Sequence, residues 1–171
     1  MKRVLYILGQ LADEDVDWLI QNGKRERVTS KTELIQQGRK VDKIYLVLHG
    51  NFVALLGGRN GRELARLGVG DVMGELSFLD ARPPVASVVA DGDASVLALD
   101  KKRLEAKLAS DPQFAARFYR ALGQFLATRL RKQTTLLGAA TLDDEDDSDN
   151  LEDIEVAGAR FDFLMKRLQQ L

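Results

Sequence analysis

Between about residue 24 and residue 99, short apolar runs alternate with turn-forming residues, and this alternation restricts the fold more than any other feature of the sequence. The runs include KIYLVLHG (43–50), NFVALLGG (51–58), VASVVA (85–90) and ASVLAL (94–99). Between them lie Asn60-Gly61, a strong hairpin signal, and the turn pair Asp91-Gly92. Because many short strands with almost no helix between them are typical of closed antiparallel sheets, we expect an antiparallel β barrel or jelly roll.

Helical periodicity flanks this region on both sides. Residues 11–21 predict a short helix with Asp13 as its N-cap, and residues 101–110 predict another. The pair Asp111-Pro112 supplies a cap and a first-turn proline for a long helix over residues 111–135. One face of that helix carries an apolar stripe, made by Phe114, Phe118, Tyr119, Leu122, Phe125, Leu126 and Leu130.

We divide the chain into residues 1–138, which hold the sheet and the long helix, an acidic linker over 139–156, and a terminal amphipathic helix over 157–171. The acidic residues also match the spacing of a twelve-residue calcium loop, at Asp144, Asp146, Ser148, Asn150, Glu152 and Glu155. The sixth position is Asp149, where such a loop requires glycine. A charged linker is therefore the favoured interpretation, and where the terminal helix packs stays open.

Composition excludes several classes of protein. The net charge is −1 and there is no cysteine, so we expect a cytoplasmic protein with no disulfide and no broad attraction to nucleic acid or membranes. The only histidine is His49, whereas barrel enzymes with a metal need a cluster of histidines and carboxylates. We therefore expect no enzyme activity, no metal and no cofactor.

Three blocks carry a resemblance: LIQQGRKVDKIYLVLHG (34–50), LGVGDVMGELSFL (67–79) and RPPVASVVA (82–90). Together they resemble the cyclic nucleotide-binding domain of bacterial transcription regulators, kinase regulatory subunits and gated channels, over about residues 8–130. The resemblance implies a mainly β fold, an antiparallel jelly roll with flanking N- and C-terminal helices. It also implies a phosphate-binding cassette, whose candidate ligand-binding residues are Gly74, Glu75, Leu76, Arg82, Ala86 and Ser87.

The roles in this cassette follow from the resemblance. Gly74 lets the backbone approach the ligand closely, Glu75 accepts a hydrogen bond from a ribose hydroxyl, and backbone N–H groups near Leu76 face the phosphate. Ser87 stands where a hydroxyl contacts phosphate or base. An acid in the first helical turn, such as Glu75, also stabilises the helix through its dipole, which is the purely structural interpretation of that residue.

Pro84 departs from the family pattern. Counting from Gly74, it stands where members that bind cAMP usually carry an arginine that pairs with the cyclic phosphate. The loss of such a contact costs about 1.5–3 kcal/mol, or roughly tenfold to more than a hundredfold in affinity. Arg82 lies nearby, but the stiff Pro83-Pro84 pair separates it from the pocket.

Two functions therefore remain open. One is a regulatory module that senses a small nucleotide-like anion through the cassette and relays occupancy to the helices that follow. The other is a ligand-free domain that acts as a dimeric scaffold for an unknown protein partner. In both we expect a homodimer through the helix over 111–135. We interpret the basic residues of TRLRKQ (128–133) as complements to the helix dipole, and we expect no DNA binding because the residues that follow are acidic.

Overall fold

The computed structural model describes residues 5–136 and 151–169 of the chain. In these residues the strands form two four-stranded sheets, in which every pair is antiparallel. The first sheet has the order β1-β8-β3-β6 and the second has the order β2-β7-β4-β5. The predicted antiparallel jelly roll with flanking helices is confirmed. The strands are β1 (Lys24–Val28), β2 (Glu33–Ile35), β3 (Lys43–His49), β4 (Phe52–Leu56), β5 (Arg62–Leu67), β6 (Val72–Met73), β7 (Ser87–Ala90) and β8 (Ala94–Asp100).

Helices pack on the outer face of the first sheet, and the described part of the chain begins and ends with a helix. The cassette region contributes one short helix between β6 and β7. The helices are α1 (Leu5–Gln10), α2 (Asp13–Asn22), α3 (Glu75–Leu79), α4 (Lys101–Ser110), α5 (Pro112–Leu136) and α6 (Leu151–Gln169). Within the described residues, no helix is long and apolar enough to cross a bilayer.

The burial of β3 explains why its sequence is apolar without interruption. Tyr45 and Val47 belong to the core between the two sheets. Ile44, Leu46 and Leu48 point the other way and belong to the core between the first sheet and the helices. Successive side chains of a strand alternate between faces, so a strand covered on both sides needs apolar residues at every position.

The turns between strands lie at the glycines that the sequence indicated. Asn60-Gly61 lies in the hairpin that joins β4 to β5, and Asp91-Gly92 joins β7 in one sheet to β8 in the other. Gly50, between β3 and β4, has a φ of +81°, and a Cβ there would lie 2.7 Å from the Ala94 Cβ. Only glycine fits this turn without moving its neighbours.

The prediction that Asp13 caps α2 is wrong, because the helix begins one residue earlier than the sequence indicated. Ala12 is the N-cap, and Asp15 in the first turn reaches back to accept a hydrogen bond from the Ala12 N–H at 2.7 Å. The same carboxylate binds the Arg117 guanidinium of α5 at 2.6 and 2.9 Å. Asp15 therefore satisfies the helix terminus and ties α2 to α5 at once.

The terminal helix packs on the N-terminal helices. It begins at Leu151, earlier than the predicted residue 157, and it buries Leu164 and Leu168 in the helical core. Arg160 donates to the backbone carbonyls of Leu8 and Gly9 at 3.1 Å each, at the end of α1, and pairs with Asp13 at 2.8 Å. Most of the acidic linker and of the calcium-loop alternative, residues 137–150, lies outside the described residues.

Candidate ligand-binding site

The candidate site begins at the turn from β6 into α3. Gly74 is the N-cap of α3 and has a φ of +85°, in the left-handed region. A Cβ at this position would lie 3.0 Å from the carbonyl oxygen of Lys43 in β3. Gly74 is therefore required both for the turn and for the close packing of the cassette on β3.

Glu75, the first residue of α3, is buried and paired with α5. Its side chain is only 5% exposed, and Arg129 Nη1 donates to Glu75 Oε1 at 2.5 Å. Burial raises the pKa of Glu75 above its ordinary value, the nearby Asp71 raises it further, and Arg129 opposes both effects. The ion pair joins the start of the cassette to the last third of the long helix.

A pocket of about 310 Å³ lies beside this ion pair, between β5 and α5. Its volume is at the lower end of the range for small-molecule sites. The wall on the β side consists of residues 63–67 and Asp71, and the wall on the helix side consists of Phe125, Thr128, Arg129, Lys132 and Gln133. The helix residues recur at spacings of three and four, so they share one face of α5.

The far end of the cassette is held by a hydrogen-bond network around Ser87. The Ser87 hydroxyl is buried and accepts from the backbone N–H of Gln37 at 3.0 Å. The Gln37 side-chain oxygen accepts in turn from the Gly57 N–H at 2.8 Å, in the β4–β5 turn. The carbonyl of Pro84 accepts from the Gly38 N–H at 2.9 Å. The Ser87 hydroxyl thus already has a structural partner within the protein.

The other candidate residues are wholly or partly exposed. Leu76 is exposed and Ala86 is half-buried. The Arg82 side chain is 83% exposed, and its guanidinium lies 3.9 Å from Asp80. None of the six residues predicted from the cassette lines the pocket between β5 and α5. Glu75 contacts the pocket indirectly, because Arg129, which lines the pocket, donates a hydrogen bond to it.

The interpretation of Arg129 as only a complement to the helix dipole is wrong, because its guanidinium binds the buried Glu75. The same side chain lies over the Phe125 ring, with 5.2 Å from the guanidinium carbon to the ring centre. The apolar stripe of α5 predicted the helix, but it did not predict the contact between Arg129 and Glu75. A buried acid needs a cation or hydrogen-bond donors as partners, so a buried Glu75 in the cassette would have indicated a basic partner elsewhere in the chain.

Among the described residues, no group of three or more histidines, cysteines or carboxylates is arranged to hold a metal ion. The polar groups of the site are instead two guanidiniums, an ammonium, an amide, a hydroxyl and the carboxylates of Glu63 and Asp71, on the walls of a partly apolar pocket. The three cations can attract an anion and the amide and hydroxyl can bind a polar ligand, while the two carboxylates restrict where an anion can lie.

Comparisons with known proteins agree with this architecture. A family model described as cyclic nucleotide-binding domain matches residues 25–111. The cyclic AMP receptor protein of Thermus thermophilus is 35% identical over 125 residues, which is 71% of this chain and 56% of that protein. The chain spans 56–63% of the length of the curated relatives it matches.

Two solved structures show the extent of the likeness. A cyclic nucleotide-binding domain from Methylobacillus flagellatus has a TM-score of 0.71 at 24% identity, with 84% of this chain and 85% of that chain covered. The catabolite activator protein of Thermus thermophilus has a TM-score of 0.63 at 25% identity, with 96% of this chain and 87% of that chain covered.

Proposed function

This chain belongs to the cyclic nucleotide-binding domain family, and from that premise we propose that it is a non-enzymatic regulatory module whose pocket binds a small nucleotide-like anion. Two relatives are named for cyclic AMP or for catabolite activation. We propose that this chain binds cAMP itself only weakly. Because it has no cysteine, we place it in the cytoplasm. We propose no role in DNA binding, since a net charge of −1 provides no basic field for phosphates.

The pocket between β5 and α5 is the observation that carries this proposal. It is large enough for a small ligand, and it carries cations on its helix wall. Arg129 belongs to that wall and also holds Glu75 of the cassette. A ligand in the pocket therefore contacts the long helix directly and the cassette through one ion pair.

This geometry supports a simple mechanism of regulation. A ligand that contacts both β5 and α5 favours the arrangement in which the two walls are close together. Occupancy then shifts the population between two packings of α5 against the sheet, by as much as the ligand's affinities for those packings differ. Arg129 transmits the shift to α3, because the position of its guanidinium is fixed by the buried Glu75.

Weak binding of cAMP follows from the cassette loop. Pro84 provides no charge where the family pattern has an arginine, and Arg82 points to solvent. The missing charge-assisted contact is worth about 1.5–3 kcal/mol. We expect affinity for cAMP to be lower by roughly tenfold or more than in a domain that has this arginine.

A thermal-stability titration with cAMP, cGMP and noncyclic nucleotides tests the proposal. A ligand at one hundred times its dissociation constant adds about 2.7 kcal/mol to the free energy of unfolding. We expect at least one nucleotide to stabilise the protein. Flat curves with every ligand, in a protein that melts cooperatively, would contradict the sensor.

The variant Pro84→Arg tests whether the rest of the cassette is competent. It restores the expected arginine and keeps the carbonyl that binds Gly38. The matched control is Pro83→Arg, which makes the same replacement one residue away, on the exposed side of the loop. Stronger cAMP binding in Pro84→Arg but not in Pro83→Arg is the expected result. A folded Pro84→Arg that still ignores cAMP shows that the cradle itself is lost.

The second candidate function is a dimeric scaffold, and one observation favours it. Tyr119 and Leu130 on α5 are 49% and 65% exposed, and Gly123 between them leaves open space. The spacing of four and seven residues places them on one outer stripe, as in a helix that pairs with another helix. We propose a homodimer through this stripe. A dimer that binds no nucleotide would favour the scaffold over the sensor.

A further inference from the structure

The three cations that line the pocket between β5 and α5 differ in whether a carboxylate of the described residues binds them. Arg66 is bound by Glu63 at 2.9 and 3.1 Å and by Asp91 at 2.7 Å. Arg129 is bound by Glu75. Lys132, one helical turn beyond Arg129, forms no hydrogen bond or ion pair with any residue that the structure describes. Of the cations in this pocket, Lys132 is therefore the one that no residue in 5–136 or 151–169 pairs with.

The carboxylates of the pocket restrict where an anion can lie. Asp71 is buried on the β wall, and its Oδ2 accepts from the Gly68 N–H at 2.7 Å. Asp71 also contributes to the raised pKa of Glu75, whose carboxylate is bonded to Arg129 of the helix wall. An anionic group is repelled from that end, because like charges in a partly buried site destabilise each other. The Lys132 end of the α5 wall is the favourable position.

We propose that Lys132 binds the phosphate of a phosphomonoester ligand, a nucleoside 5′-monophosphate in chemical class, at the α5 wall of the pocket. This inference rests on the proposed function and assigns the anchor that Pro84 cannot provide. The position differs from the cassette, since Lys132 lies on the long helix. Gln133, on the same helix face, has both a donor and an acceptor for the rest of the ligand.

The choice of a monoester follows from the cation itself. A lysine ammonium is a compact point charge, whereas an arginine presents a planar fork that fits two oxygens at once. A phosphomonoester carries a charge of about −1.5 to −2 at neutral pH, while a cyclic diester carries about −1. A single ammonium therefore discriminates in favour of the monoester.

Isothermal titration of the wild-type chain and three variants tests the inference. The probes are the four ribonucleoside 5′-monophosphates, cAMP, and adenosine as the ligand without phosphate. The variants are Lys132→Gln, Lys132→Arg and Lys102→Gln, the last of which removes an exposed lysine of α4 away from the pocket.

We expect at least one 5′-monophosphate to bind the wild type more tightly than cAMP or adenosine. Lys132→Gln weakens this binding by about tenfold or more, while Lys132→Arg retains most of it and Lys102→Gln leaves it unchanged. Rising salt weakens the wild type more than Lys132→Gln.

The inference is overturned if Lys132→Gln keeps the wild-type affinity, or if cAMP or adenosine binds as tightly as every monophosphate. If Lys132→Gln keeps the affinity, or if cAMP binds as tightly, the wild type still binds a nucleotide and the proposed function survives. If uncharged adenosine binds as tightly, the preference for an anion in the proposed function fails as well. If the wild type binds none of the probes, both the proposed function and the inference fail, and that result appears before any variant is made.

Discussion

Removal of Arg129 leaves the Glu75 carboxylate buried without its cation, and this perturbation has a predictable size. The Glu75 side chain is 5% exposed and that of Arg129 is 26% exposed. Loss of one partner of a fully buried pair costs about 3–5 kcal/mol. Because Arg129 is partly solvated, we expect the lower end for Arg129→Met, about 3 kcal/mol, or a fall in melting temperature of roughly 6–12 °C for a chain of this size.

The deficit of Arg129→Met depends on pH. Burial raises the folded-state pKa of Glu75 above its ordinary value of 4.5, and without Arg129 that pKa rises further. A carboxyl with a raised folded pKa contributes stability below its unfolded pKa and loses it as pH rises through the folded pKa. The deficit of the variant relative to the wild type is therefore largest near neutral pH and shrinks as the pH falls toward 4.5.

The assay is urea unfolding of the wild type and the variants across this pH range. The double variant Glu75→Gln/Arg129→Met should recover most of the stability, since a neutral amide is cheaper to bury than an unpaired carboxylate. Arg103→Met, at an exposed position on α4, is the matched control and should change little. A deficit that is absent near neutral pH, or that is the same at acid and neutral pH, would refute the reasoning.

Three further predictions concern the fold and the assembly. Gly50→Ala should lose about 2 kcal/mol in urea unfolding, because its Cβ would meet the Ala94 Cβ at 2.7 Å and its φ is positive; an unchanged midpoint would contradict this. Arg160→Met should lose about 1–2 kcal/mol and increase amide exchange in α1, because it removes the donors to the carbonyls of that helix; unaltered exchange would speak against it. Leu130→Glu should convert a dimer into a folded monomer in sedimentation velocity, because it places a charge on the exposed stripe of α5 that also carries Tyr119; a monomeric wild type would contradict a homodimer through this stripe.

Much of the fold could be predicted because its signals are local. The apolar run KIYLVLHG indicated the strand β3, and Asn60-Gly61 indicated the hairpin. The end of α4 and the start of α5 followed from Asp111-Pro112, and Asp111 does accept from the Phe114 N–H at 2.9 Å. Each of these depends on residues that are neighbours in the sequence.

The site was harder to predict because its contacts are distant in sequence. The cassette residues Gly74 and Glu75 were found from their motif, but the partner of Glu75 lies 54 residues further on. The basic residues at the end of a helix have an ordinary local explanation in the helix dipole, and that explanation concealed Arg129. The register of α5 against the sheet decides which basic residue meets the cassette, and periodicity alone does not determine it.

The packing of α6 shows the same limit. Its apolar stripe predicted an amphipathic helix, but not the surface that covers the stripe. Arg160 identifies that surface, since its guanidinium binds the free carbonyls at the end of α1. Free carbonyls at a helix end are present in any helix, so the sequence does not single out this one.

The most direct test of the central claim is a map of backbone amide shifts by NMR while a nucleotide is titrated into the labelled wild-type chain. The account predicts that the shifts concentrate in β5, at Gly74 and Glu75, and along residues 128–133 of α5, which together form and flank the pocket. Shifts confined to the outer loop around Arg82, or no shifts with any nucleotide, would contradict a ligand site between β5 and α5.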